Sequence, residues 1–165
     1  MSRNFYIGLL VIAAGILAVF LYRTNFDDKA TNTDIEQVIQ SVPDAEFGGV
    51  SLRIEYAMTP EARELGLGGR TEIPEDYGML FVFPEDDYYG FWMEDAMVPL
   101  DIFWLDAQGQ TIFIMADIAT STYPDVFYPT TPARYVLETA AGFTRKHNVT
   151  IGTPLRLKNF PIVSQ

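Results

Sequence analysis

Asp101 is the residue of this 165-residue chain whose surroundings most invite a chemical reading. It stands between Leu100 and Ile102 in the apolar run LDIFWL. A carboxylate buried in such a run must be paired or hydrogen-bonded. Arg63, Arg70 and Arg134 are the candidate partners, because a guanidinium meets a carboxylate with two parallel bonds. One reading is an ion pair that fixes strand register; the other is a polar group lining a cleft. Glu94 could join Asp101 as the paired carboxylates of a glycoside hydrolase, although sequence gives no separation between them. Around these acids lie Trp92, Tyr123 and Tyr128, which with Glu94, Asp101 and Arg134 make a candidate binding cleft. An aromatic groove with a few acids suits a sugar or a peptide, and ordinary core packing accounts for the same aromatics. Glu138, in the strand-like stretch ARYVLET, is expected to pair with Arg70 or to point to solvent.

Other chemistries are excluded or disfavoured. The chain has no cysteine and one histidine, His147. Disulfides, thiolate metal sites, a Cys nucleophile and a multi-histidine zinc site are therefore out. The acidic clusters Glu85-Asp86-Asp87 and Glu94-Asp95 carry oxygen ligands for a hard cation, but their spacing matches no defined loop. We expect no metal and no cofactor. The net charge is −11, and a nucleic-acid binder needs a basic face, so nucleic acid is not an expected partner.

The elements that must position these residues follow from periodicity. Val50–Ala57 alternates apolar and polar residues, the pattern of a half-buried strand. Thr59-Pro60 opens a helix, which Gly66 to Gly69 ends. Between Gly78 and Asp106 the sequence reads as three strands, Gly78–Phe83, Tyr88–Glu94 and Leu100–Leu105. Turns at Glu85–Asp87 and Asp95–Pro99 join them, and the three are expected to lie side by side. A turn at Asp106–Gly109 then leads to a fourth strand over Gln110–Asp117. Ile118–Pro132 reads as a long loop, Ala133–Thr139 as a strand, Ala140–His147 as a short helix, and Leu155–Leu157 with Phe160–Val163 as a closing strand. The expected class is mainly β, a β-rich α+β domain. It would be a compact antiparallel sandwich or a partly open barrel with one or two short helices.

That domain spans residues 47–165. Ahead of it, Phe5–Tyr22 is an uncharged apolar run flanked by Arg3 and Arg23. At about 1.5 Å per residue it reaches the lower end of what crosses a hydrocarbon core of about 30 Å. No small-residue cleavage site follows it. Residues 1–23 are thus expected to be an N-terminal transmembrane anchor in the cytoplasmic membrane, single-pass. Residues 24–46, polar and acidic, are expected to be a tether. All 22 acidic residues lie beyond the apolar run, which suits an extracytoplasmic domain.

Several segments together resemble a known family. They are Thr59-Pro60-Glu61-Ala62-Arg63, Gly66-Leu67 with Arg70, Gly78–Phe83, Phe91-Trp92-Met93, Pro99-Leu100-Asp101-Ile102, Ala133–Glu138 and Gly142. Their order and spacing resemble the domain of unknown function 192 family over about Val50 to Leu157. The resemblance implies a compact, mostly antiparallel β domain with a few short helices, often exported or anchored, and implies no assigned activity. The chain departs from the family pattern in three places. Gly68 stands where relatives commonly have Met, Glu94-Asp95-Ala96 replaces Lys-Asn-Thr, and a Cys often found before the Ala-Arg-Tyr segment is absent. The functional expectation is a membrane-anchored module that binds a ligand, a glycan or an envelope protein, without catalysis. The alternatives are a carboxylate-based hydrolase acting on a cell-envelope polymer and a structural or assembly factor. Oligomeric state is left open.

Overall fold

The computed structural model describes residues 45–158 and 160–161. The expected anchor and nearly all of the expected tether lie outside the described residues, among which no helix is long and apolar enough to cross a membrane. Seven strands form the core: β1 (Ala45–Phe47), β2 (Val50–Ala57), β3 (Tyr77–Asp87), β4 (Leu100–Leu105), β5 (Thr111–Ile118), β6 (Ala133–Ala140) and β7 (Arg156–Leu157). Two short helices accompany them, α1 (Pro60–Leu65) and α2 (Phe143–Lys146). The strand order β5-β4-β6-β3-β2-β1-β7 describes one mixed sheet, curled into a half-barrel. Mainly β with two short helices is what the periodicity implied. The sheet is single rather than a sandwich.

The meander expected between Gly78 and Asp106 is not formed. β3 and β4 do not touch; β6 lies between them and pairs antiparallel with both. β2 and β3 run parallel, with α1 in the crossover. Glu85-Asp86-Asp87 is not a turn but the tail of β3, which passes through Pro84 and re-registers between Val82 and Asp87. The Tyr88–Glu94 stretch is not a strand. It makes one antiparallel bridge, Phe91 with Phe127, closed by two backbone hydrogen bonds of 2.9 and 2.8 Å. A run of aromatics on alternating sides mimics a strand because loop residues that pack into a core alternate too. β1 starts at Ala45, slightly ahead of the expected domain start, and Phe160 packs on Tyr135 without extending the sheet.

Both faces of the central strands are buried, so β4 has no exposed residue. One face carries Phe47, Leu52, Leu80, Phe103, Leu137 and Phe143, the last being α2's contribution. The other carries Met79, Phe81, Phe91, Ile102, Trp104 and Val136. The period-2 rule then assigns the two buried acids. Asp101 shares the face of Phe103 and Leu105. Glu138 shares the face of Val136, flanked by Met79 of β3 and Ile102 of β4.

Candidate functional site

On the Glu138 side of the sheet an open cavity of about 260 Å³ is left between the strands and two covering segments. One cover is α1 with its C-terminal turn. Thr59 caps this helix by accepting the Ala62 N–H, Pro60 fills the first turn, and Gly66 ends it at φ 50°. Gly66, Leu67 and Gly68 then line the cavity. At Gly68 a Cβ would sit 2.9 Å from the Leu65 carbonyl oxygen, so the turn runs closer than any other residue allows. The second cover is the segment Tyr89–Ala96. Trp104 Nε1–H donates to the Tyr89 carbonyl at 2.8 Å, and the Gly69 N–H donates to the Asp95 carbonyl at 2.9 Å. These bonds tie the second cover to the sheet and to the first.

The wall is largely aromatic. Phe81 meets Phe91 edge-on at 4.8 Å, and Phe83 stacks on Tyr89 with centroids 3.5 Å apart. Trp92 is 43% exposed and stands at the mouth. Four ionisable side chains besides Tyr89 reach the cavity: Arg63, Glu64, Glu94 and Glu138. Arg63 is already engaged. Its Nη1 donates to the carbonyls of Met58 and Val82 at 2.8 and 2.9 Å, and its guanidinium lies 5.1 Å from the Phe83 ring centre.

Glu138 is the unusual group. It is 4% exposed, and its carboxyl has no hydrogen-bond or ion-pair partner among the described residues. Burial alone pushes its pKa up to about 8, because an unpaired charge in an apolar wall is costly. At neutral pH it is a protonated acid facing an open cavity.

The expected site residues divide accordingly. Trp92 and Glu94 line the cavity, and Tyr123 reaches Glu94, its hydroxyl donating at 3.0 Å. That bond holds the Tyr123 hydroxyl above its usual pKa. Tyr128 packs where a Cβ on Gly90 would be, 2.6 Å away, so it backs the wall instead of lining it. Arg134 is elsewhere, at 2.7 Å from Asp86 on the β3 tail. Asp101 pairs with no arginine and faces the other side of the sheet. Its Oδ1 accepts the N–H of Asp117 at 2.7 Å and of Gly142 at 3.2 Å, and Oδ2 accepts that of Thr144 at 2.7 Å. Its three donors are backbone amides because β5's end and the start of α2 converge on it. Arg63 holds carbonyls, as above. Arg70 belongs to a surface cluster, where it and the Tyr77 hydroxyl both donate to Glu55. The Tyr77 bond, chiefly, lowers the Glu55 pKa. Glu138 therefore does not pair with Arg70; it is 4% exposed and opens only onto the cavity.

Sequence reasoning missed Glu138 as a site residue, and with it Phe81, Phe83 and Tyr89. The available signal was in β6 itself. Val136, two residues before Glu138, is apolar and by the period-2 rule shares its face, which sets Glu138 among apolar neighbours. Among the described residues no three carboxylate or imidazole side chains gather as a metal centre requires.

Two of the three departures noted above fall on this cavity, since Gly68, Glu94 and Ala96 all line it. Comparison with solved structures finds the same fold in a proposed transcription regulator from Sinorhizobium meliloti 1021. It is 31% identical with a TM-score of 0.62, the match covering 64% of this chain and 81% of that one. A protein of unknown function from Novosphingobium aromaticivorans is 26% identical with a TM-score of 0.60, covering 65% of this chain and 76% of the other. No curated protein matches. The model of the domain of unknown function 192 family, described as an uncharacterized ACR, matches residues 44–157, well over half of the chain, and the chain belongs to that family.

Proposed function

We propose that this chain is a membrane-tethered, extracytoplasmic binding module that takes a small ligand, or one side chain of an envelope partner, into the cavity over Glu138, without catalysis. The observation that carries the reading is Glu138 itself, a buried carboxyl with no protein partner, set in an aromatic wall that is open to the outside. Buried polar groups are ordinarily satisfied; Glu138 has no protein partner and opens onto the cavity, so an entering group can supply the bond that the protein does not. The tether and the export rest on the sequence, on the uncharged run Phe5–Tyr22 and on the acidic residues beyond it. A nucleic-acid ligand, which the description of the Sinorhizobium protein would invite, is disfavoured by a net charge of −11.

Saturation-transfer NMR of the full chain in nanodiscs, against short compounds that carry one polar head, tests the binding half. The reading expects binding by the wild type and its loss in Ala96→Trp, which fills the cavity from its wall. If no compound binds, or if Ala96→Trp changes nothing, the reading fails. Fractionation of the tagged full-length protein tests the anchor; recovery in the soluble fraction would sink that half.

A second reading is favoured by one observation. Glu94 and Glu138 line the same cavity, and Glu138 is held protonated, as a general acid requires. The hydrolase alternative thus moves from Glu94 with Asp101 to Glu94 with Glu138. It expects release of reducing ends from an envelope polymer that Glu138→Gln abolishes, whereas the binding reading expects no turnover at all.

A further inference from the structure

We propose that the cavity over Glu138 selects a ligand bearing a primary ammonium group on a short apolar stem, with Glu138 as the seat of the ammonium. The inference rests on the binding reading above and gives it a chemical class.

Three independent features converge on a cation. First, the unpaired group is an acid. A neutral ligand would satisfy it with one hydrogen bond, whereas an ammonium brings several donors and turns an isolated carboxyl into a charge-assisted pair. Second, the cavity is lined by Phe81, Phe91 and the 43% exposed Trp92, and aromatic rings attract organic cations. Third, the other carboxyl groups of the wall belong to Glu64 and to Glu94, the latter holding only the Tyr123 hydroxyl, while Arg63 is spent on two carbonyls and on the Phe83 ring. An anion would meet two carboxylates, and the net charge of −11 steers cations toward the protein and repels anions. A volume of about 260 Å³ lies at the small end for ligand sites. It fits a stem of a few carbons and not a folded or polymeric ligand.

The proton balance follows. The titratable groups lining the cavity with Glu138 are Arg63, Glu64, Tyr89 and Glu94, and its strand neighbours Met79 and Ile102 are apolar. Before binding, Glu138 carries a proton at pH 7. When the ammonium enters, still protonated, Glu138 gives its proton to solvent and the pair forms. No bond to carbon changes. Close to one proton is released per ligand bound.

Isothermal titration of the full chain in nanodiscs, at pH 7 in phosphate and in Tris, reads both affinity and proton count, with protein-free discs subtracted. The probes are n-hexylamine and n-hexanol. Hexylamine should bind at least about tenfold more tightly than hexanol and release about one proton. Glu138→Gln keeps the shape of the protonated acid. It should cost hexylamine about tenfold or more in affinity and abolish proton release. The amine–alcohol comparison needs no variant, so it decides even if that substitution perturbs the fold. If hexanol binds as well as hexylamine, or if the amine releases no proton, the ammonium proposal is overturned and the binding site stands. If neither probe binds, both are overturned.

Discussion

Asp101 and Glu138 stand on adjacent strands, one register position apart, and face opposite sides of the same sheet. Asp101 lies opposite Thr139, and Glu138 opposite Ile102. Both are almost fully buried. Asp101 accepts three backbone N–H groups, from the end of β5 and from both ends of the turn into α2. Glu138 accepts none and faces a cavity. Burial is therefore the same for the two acids, and what differs is the backbone brought against each face. On the Asp101 side, the chain folds back with its amides pointing inward. On the Glu138 side, the covers present rings and glycines. A buried carboxylate surrounded by donors is satisfied within the fold, whereas a buried acid with none is pushed toward its protonated form.

The largest expected effect breaks the first half of that contrast. Asp101→Ala strands three partly buried N–H groups and frees the start of α2. Each loss of a bond to a charged acceptor costs about 1.5–3 kcal/mol, and the losses are not additive. We expect a destabilisation of about 5 kcal/mol in urea or thermal unfolding. Asp101→Asn should recover part of it, since one amide oxygen can still accept. An Asp101→Ala protein of wild-type stability would show that the cluster is incidental.

The second effect concerns Glu138 and is read against pH. Its folded-state pKa, near 8, lies above the ordinary glutamate value of 4.5. Below pH 4.5 the acid is protonated in both states and costs nothing. Between pH 4.5 and 8 the unfolded chain loses the proton and the folded one keeps it, so stability falls as pH rises through this window. The loss levels off above about pH 8. At about 1.4 kcal/mol for each tenfold change in proton affinity, the full swing is on the order of 5 kcal/mol. Glu138→Gln should flatten the profile across this window and be the more stable protein at pH 8. Denaturation at a series of pH values checks it; identical slopes for both proteins would mean that Glu138 is already ionised and paired.

A smaller effect probes how the Asp101 amides are aimed. Gly142 holds φ 86°, a left-handed conformation that presents its N–H to Asp101. There a Cβ would meet the Arg145 side-chain end at 3.4 Å and the Asp117 carboxylate at 4.0 Å, both ordinary contacts, so the cost of Gly142→Ala is conformational and not a clash. We expect about 1–2 kcal/mol. A neutral outcome would show that the turn can re-form without glycine.

Much of this contrast was legible from residue order, and the missing part has a physical cause. The strands Val50–Ala57, Leu100–Leu105 and Ala133–Ala140, and the helix opened by Thr59-Pro60, follow from periodicity and capping, which are local. That Asp101 must be satisfied followed from its apolar neighbours. Its donors could not be read, because backbone amides carry no sequence label and arginines do. The order of strands was lost for a related reason. Periodicity marks strands but not which pairs with which, so β6 between β3 and β4 was invisible, and with it the two-sided burial that traps Glu138. The aromatic run Tyr88–Glu94 misled because its rings alternate into a core without a ladder. Trp92 and Glu94 line one cavity and Tyr123 bonds to Glu94, while Asp101, grouped with them from the sequence, faces the other side of the sheet.

The smallest expected effect separates amides from surface charge as the support of Asp101. Arg145 on α2 pairs with Asp117 of β5 at 2.9 Å, bridging the same two elements that Asp101 ties from below. Both side chains are half-exposed or more, with Arg145 at 77%. Solvent screens such a pair, and holding two long side chains in register offsets most of its Coulomb gain. The Asp101 carboxylate is fully buried and its bonds run to backbone amides, one of them that of Asp117 itself. Removing the surface pair should therefore leave the buried one intact. Arg145→Ala is expected to change unfolding free energy by no more than about 0.5 kcal/mol, and less in high salt. A loss approaching that of Asp101→Ala would mean that the outer ion pair, and not the three amides, fixes α2 on the sheet.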